Sequence, residues 1–235
     1  MGKSIFDLLK KSGFKVSGFD RSEKADKYLK NCDVFILAVK PQDFEAFCGS
    51  VKTDLSKKMA VSIMTGITIG KISKSLKMSK VVRVMPNLPL KVGKGLSGWK
   101  ASKSVTAKEK SFAKKILSTF GEQIEVDNEE KLNMITALSG SGPAYFYHLA
   151  EIIESKALDF GFSKNDAKKI AKQTLIGSAK LLESVNLSAK ELRERVTSKG
   201  GTTEAALKVL EKNYFSKIFK KALGAAHKRA GELNK

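Results

Sequence analysis

Short β-branched runs alternate with helical segments along the first half of this chain, and after Asp127 the strand signal stops. Residues 16–20, 34–39, 59–64 and 81–85 read as buried strands, and 4–12, 44–51 and 69–76 as the helices connecting them. That alternation calls for a parallel sheet covered by helices. Residues 95–100 and 123–126 add further strands around a helix at 106–120, whose apolar positions are Phe112, Ala113, Ile116 and Leu117. A short helix is expected at 22–29, leading into Asn31-Cys32-Asp33. From there on the periodicity is helical: 129–138, 144–160, 164–184, 189–197, 203–212 and 215–233. The expected fold class is therefore α/β over residues 1–128, followed by an all-α domain over 129–235. Six helices in so short a domain leave apolar faces uncovered, and Ala179, Leu182, Ala222 and Ala226 suit packing either within a subunit or between subunits.

Charge narrows the partners. Forty-four Lys and Arg against 24 Asp and Glu give a net charge of +20, which by itself raises nucleic acid as a ligand. The lysines are scattered along every helix, arginine is scarce, and no segment interleaves aromatic with basic residues. A solvated, lysine-rich surface is the expectation, with no specific nucleic-acid site, and its field attracts anionic small molecules. No apolar run approaches the roughly 18 residues of a membrane helix, and Asp7, Lys10 and Lys11 interrupt the N-terminus where a signal peptide would be apolar. A cytoplasmic protein with no membrane partner is expected. Cys32 and Cys48 form no metal or disulfide pattern, His148 and His227 lie far apart, and no metal site is expected.

Chemistry concentrates in Val196-Thr197-Ser198-Lys199-Gly200-Gly201-Thr202-Thr203, followed by a helical run from Glu204 to Leu210. Paired glycines permit a tight turn, and the threonines stand where a helix begins. Free N–H groups and the positive end of the helix dipole make such a turn an anion cradle. Three further motifs precede it: Leu37-Ala38-Val39-Lys40-Pro41-Gln42, Val82-Arg83-Val84-Met85-Pro86-Asn87-Leu88-Pro89 and Leu138-Ser139-Gly140-Ser141-Gly142-Pro143-Ala144-Tyr145.

Four such motifs in this order resemble the pyrroline-5-carboxylate reductase family, over residues 1–233. The resemblance implies reduction of 1-pyrroline-5-carboxylate to L-proline by NADPH or NADH, a Rossmann-like dinucleotide-binding domain, and a homodimer or higher homo-oligomer built through the helical domain. Family members open with a strand and a glycine-rich phosphate loop, and Met1-Gly2 matches the end of that loop. The stretch between Asp20 and Val34 is also shorter than a full mononucleotide-binding half. The first domain is therefore expected to be incomplete, with a weakened grip on the pyrophosphate and impaired activity; a non-catalytic helical dimerisation module is the rival reading.

By resemblance Gly2, Ala38, Val39, Lys40 and Pro41 border the dinucleotide, though Lys40-Pro41 also reads as a plain strand terminator. Asn87 positions the nicotinamide amide or ribose, beside Leu88 where the family often has Thr. Arg21 and Ser22 suit a 2′-phosphate while Asp20 suits a free hydroxyl, so NADP is favoured and NAD is possible. Ser198, Gly200 and Gly201 hold the substrate carboxylate beside Lys199, where the family usually has Pro. Thr203, with Thr202 as the alternative, donates toward the imine nitrogen. The 139–143 motif reads as a helix break or as room for a neighbouring helix or the substrate.

Overall fold

The computed structural model describes residues 1–20 and 23–234. Strands β1 (Val34–Leu37), β2 (Met59–Ser62), β3 (Lys80–Met85), β4 (Gly95–Ala101) and β5 (Gly121–Glu125) form one sheet in that order. The first three are mutually parallel, β4 runs antiparallel to β3, and β5 is parallel to β4. β2 is buried at every position, as a strand between two covered faces must be.

Side chains alternate between the faces with the period of two that a strand imposes. On one face Met59, Val61, Val82 and Val84 pack with Ile5 and Leu9 of α1 (Gly2–Lys11) and Ile116 and Leu117 of α5 (Ala107–Ser118). The other face joins Ala60 and Val81 to Leu29 of α2 (Ala25–Leu29), Phe44 of α3 (Phe44–Ser50) and Ile72 of α4 (Ile69–Ser75). Trp99 of β4 is fully buried and spends its indole N–H on Gln123 Oε1 at 2.5 Å, so its polar atom costs nothing. Caps fix the helix starts: Thr106 and Glu109 form a capping box on α5, and Thr68 accepts from Lys71 N on α4.

Residues 16–20 do not form the expected strand. They join no strand of the sheet among the described residues, and Ser17, Gly18 and Asp20 leave only Val16 and Phe19 with strand-favouring side chains. The segment is held by side chains instead: Phe14 and Val16 pack on the α1 face, and Phe19 stacks on Tyr28 at 4.9 Å between ring centroids. β1, not a central strand, therefore forms one edge of the sheet. Arg21 and Ser22, assigned above to the 2′-phosphate, lie outside the described residues.

Two compact units make up the chain, Met1–Pro143 with Ala225–Lys235, and Ala144–Gly224. This division falls away from residue 128 because helix α6 (Glu129–Ile135) is tied to the sheet. Ile135 fills the space over Gly98 of β4, and a polar cluster joins α6 to β3 and the C-terminal residues. In that cluster buried Arg83 donates to Glu129 Oε1 at 2.7 Å and to Asn234 Oδ1 at 2.8 Å, while Asn234 donates to Asn133 Oδ1 at 2.6 Å. Ile69 N adds a bond to Glu129 at 3.0 Å, and His227 meets Glu130 at 2.7 Å.

The second unit is helical: α7 (Gly142–Asp159), α8 (Lys164–Ser184), α9 (Ala189–Arg195), α10 (Thr202–Lys212) and α11 (Phe215–Glu232) supply its length. Within residues 144–224 only Ala157, Ala167 and Ala171 are buried. Large apolar side chains stand exposed instead, among them Phe160 at 71 % and Ile218 at 62 %.

Candidate functional site

The carboxyl edge of the parallel strands, where open α/β sheets bind ligands, gathers three of the four motifs. β1 ends at Leu37, and Ala38-Val39-Lys40 follow it out of the ladder; Lys40 then heads a single 3-10 turn over Pro41–Asp43. The ladder thus ends at Leu37, short of Pro41, and Ala38 and Lys40 stand exposed at the edge. Against this end lies the start of α1: a Cβ built on Gly2 would stand 3.2 Å from the Ala38 Cβ. Among the described residues no side chain caps α1, so its first-turn N–H groups have no side-chain acceptor there. An uncapped ten-residue helix starting at the carboxyl end of a parallel strand fits a dinucleotide pyrophosphate. One G-x-G-x-x-G spacing does occur, at residues 93–98, but it runs into β4 rather than a helix and offers no such N-terminus.

Asn87 follows β3 at the same edge. Its Oδ1 accepts from Leu96 N at 2.9 Å, and its Nδ2 donates to Ser139 Oγ at 3.0 Å. The amide assigned to the nicotinamide thus bridges β3, β4 and the turn after α6. Leu88 is exposed and opens a 3-10 turn, Leu88–Val92. Sequence reasoning missed Ser139 as Asn87's partner, because 52 positions separate them.

The fourth motif lies in the helical unit. Gly200 adopts a left-handed φ of +75°, which an L side chain rarely takes. Gly201 closes the turn through its N–H to Ser198 O at 3.0 Å, and a Cβ there would lie 2.4 Å from Ser198 Oγ. Gly201 is also the N-cap of α10 and supplies no side-chain cap, so the N–H groups of Thr202, Thr203 and Glu204 point out of the helix with no partner among the described residues. Gly200 N–H is already taken: it donates to Glu204 Oε2 at 2.6 Å, and Lys208, 3.2 Å from the same carboxylate, balances its charge. Neither threonine hydroxyl makes a hydrogen bond among the described residues; Thr203 is half-buried and Thr202 exposed. Glu204 was also overlooked, although a glutamate three places after an N-cap is a recognised capping signal.

Neither cysteine is an activated thiol. Burial and Glu45 push the Cys48 thiol up to about 11, and burial raises Cys32 as well. His148 is exposed and meets Glu151 at 3.2 Å.

Residues 129–233 match the family model described as pyrroline-5-carboxylate reductase dimerisation, and residues 1–66 the one described as NADP oxidoreductase, coenzyme F420-dependent. A pyrroline-5-carboxylate reductase of Staphylococcus haemolyticus is 36 % identical over 220 residues, covering 93 % of this chain and 81 % of that protein. The chain belongs to the pyrroline-5-carboxylate reductase family. The Haemophilus influenzae reductase is 35 % identical over 86 % of the chain and 75 % of its own length. The Coxiella burnetii reductase structure superimposes with a TM-score of 0.90 at 34 % identity, covering the whole of this chain and 95 % of that one. A Plasmodium falciparum reductase solved with NADP bound gives a TM-score of 0.86 at 27 % identity, again over the whole chain and 95 % of its partner. Family membership makes this reductase an NADP-dependent oxidoreductase that reduces pyrroline-5-carboxylate in proline biosynthesis. The rival reading, a non-catalytic dimerisation module, finds no support in these comparisons.

Proposed function

We propose that the turn at 198–204 holds the ring carboxylate of 1-pyrroline-5-carboxylate and that Thr203 supplies a hydrogen bond to the ring nitrogen. The carrying observation is the pairing of three open N–H groups at the start of α10 with an unspent, half-buried hydroxyl. The carboxylate takes the N–H groups of Thr202, Thr203 and Glu204, while Ser198, Gly200 and Gly201 shape the turn. Lys208 keeps Glu204 from repelling the anion. NADPH, when bound, supplies the hydride that the imine carbon accepts. The Thr203 hydroxyl stabilises the nitrogen as it gains an electron pair and then a proton, and Thr202 is the alternative donor.

At the sheet edge Gly2, Ala38, Val39, Lys40 and Pro41 border the dinucleotide, with Lys40 an exposed cation near its phosphates. Arg21 and Ser22 select the 2′-phosphate, and so NADP over NAD. In domain terms residues 1–128 serve the cofactor and 129–235 the substrate and self-association. Two free thiols accord with a reducing, cytoplasmic setting, and no helix among the described residues is long and apolar enough to cross a membrane. Oxidation of NADPH that depends on pyrroline-5-carboxylate and yields proline in equal amount is the test; proline formation at the uncatalysed rate would overturn the assignment.

The chain is a homodimer or larger in this reading. A helical unit that buries three alanines has no core of its own, and its exposed Phe146, Phe160, Phe162 and Ile218 need a cover. A second copy supplies one, and the match of residues 129–233 to a dimerisation family supports it. Light scattering at micromolar concentration should give at least twice the 25.7 kDa chain mass. A monodisperse 25.7 kDa particle would rule this out.

A further inference from the structure

The helix after Ile135 does not continue as an α-helix. Thr136–Gly140 forms a π-helical turn, closed by Ser141 N donating to Thr136 O at 2.8 Å. Such turns insert one residue into a helix and occur frequently at functional sites. Here the turn carries Ser139 to Asn87, and the contact fixes more than a distance. Asn87 Nδ2 can only donate, so Ser139 Oγ accepts, and the hydroxyl hydrogen is directed elsewhere. Asn87 itself cannot turn over, because its Oδ1 is held by Leu96 N. Ser139 is half-buried and gives no hydrogen bond of its own among the described residues. The structural bridge is complete without that hydrogen; it is a fixed, unspent donor.

Its place at the edge indicates what it serves. The start of α1 abuts the end of β1, and β3 lies two strands further in, about 10 Å at the usual strand spacing. A dinucleotide with its pyrophosphate at α1 reaches β3 with one half only, and the polar handle of the nicotinamide ring is a carboxamide. We propose that Ser139 binds the nicotinamide end of the dinucleotide by donating its hydroxyl hydrogen to the carboxamide oxygen, with Asn87 as the positioning residue that orients it. This rests on the sheet edge being the dinucleotide site.

Equilibrium titration of the full chain with NADPH and with 2′-phospho-ADP-ribose, which has no nicotinamide, separates the possibilities. Ser139→Ala is expected to raise the NADPH Kd by about 3- to 10-fold, the factor of one neutral hydrogen bond, and to leave 2′-phospho-ADP-ribose within about twofold. Ser139→Thr, which keeps the hydroxyl, restores NADPH affinity. Asn87→Asp replaces the donor facing Ser139 with an acceptor, so the hydroxyl hydrogen is spent on it and the same selective loss appears with Ser139 intact. The added charge acts on both ligands and cancels in their ratio. In the double variant the two losses do not add, since both remove one donor. Equal losses for the two ligands, additive losses, or unchanged NADPH affinity in Ser139→Ala would overturn the proposal. A wild-type chain that binds neither compound would overturn the dinucleotide site itself, and this inference with it, before any variant is compared.

Discussion

Glu129→Ala is expected to lower the melting temperature by roughly 6–12 °C, measured at fixed protein concentration. The substitution strands Arg83. Its side chain is only 6 % exposed, and its guanidinium donates one hydrogen bond to Glu129 and one to Asn234. Removing one partner of a buried ion pair leaves a charge without compensation, at a cost of about 3–5 kcal/mol. The lower end applies, because the Glu129 side chain keeps 30 % of its surface in solvent and water can reach the vacated space. At 2–4 °C per kcal/mol for a chain of this size, roughly 3 kcal/mol gives the stated shift. Glu129→Gln should lose less, since an amide oxygen still accepts from Arg83 and from Ile69 N. Arg83→Met added to Glu129→Ala should regain stability by deleting the orphan charge. A Glu129→Ala melting point within 2 °C of wild type, by calorimetry, would show that the pair contributes nothing; roughly 3 kcal/mol cannot hide in so small a change.

The sequence made some of this visible and hid the rest for physical reasons. Runs at 34–39, 59–64 and 81–85 declared themselves because a strand buried on both faces is largely apolar, and all three are parallel neighbours. The run at 16–20, Val-Ser-Gly-Phe-Asp, is apolar only at Val16 and Phe19, and it joins no ladder among the described residues. Helix 203–212 was legible to within one residue, since the glycine turn before it is a local signal. The 129–138 segment reads as a plain helix, yet its last turn is π-helical, and nothing in residue type distinguishes the two. Likewise Arg83 reads as part of a motif, whereas its partners Glu129 and Asn234 lie 46 and 151 positions away. Asn87 gave away its place at a strand end but not the engagement of its amide by Leu96 and Ser139. Residue type located the groups that could act; only the fold shows which of their hydrogen bonds are already spent.

That distinction decides the second large effect. Thr203→Ala is expected to lower kcat by between about ten- and a hundredfold, the value of a hydrogen bond to a group that becomes charged. The hydroxyl is unspent among the described residues, so its loss breaks nothing within the fold. Alanine is also the better helix former, and α10 should keep its far-UV signal. The backbone N–H at 203 survives the substitution, so the carboxylate cradle remains and KM should move by much less than kcat. Thr203→Ser, which keeps an oxygen at the same position, should recover most of the rate. Thr202→Ala tests the neighbour: its hydroxyl is exposed rather than half-buried, where water competes for the same bond, and a loss under about threefold is expected. If Thr202→Ala gave the large kcat effect and Thr203→Ala the small one, the two roles would exchange. A folded Thr203→Ala protein with unchanged kcat, and proline affinity equal to wild type, would remove Thr203 from the reaction and leave the turn as a carboxylate cradle alone.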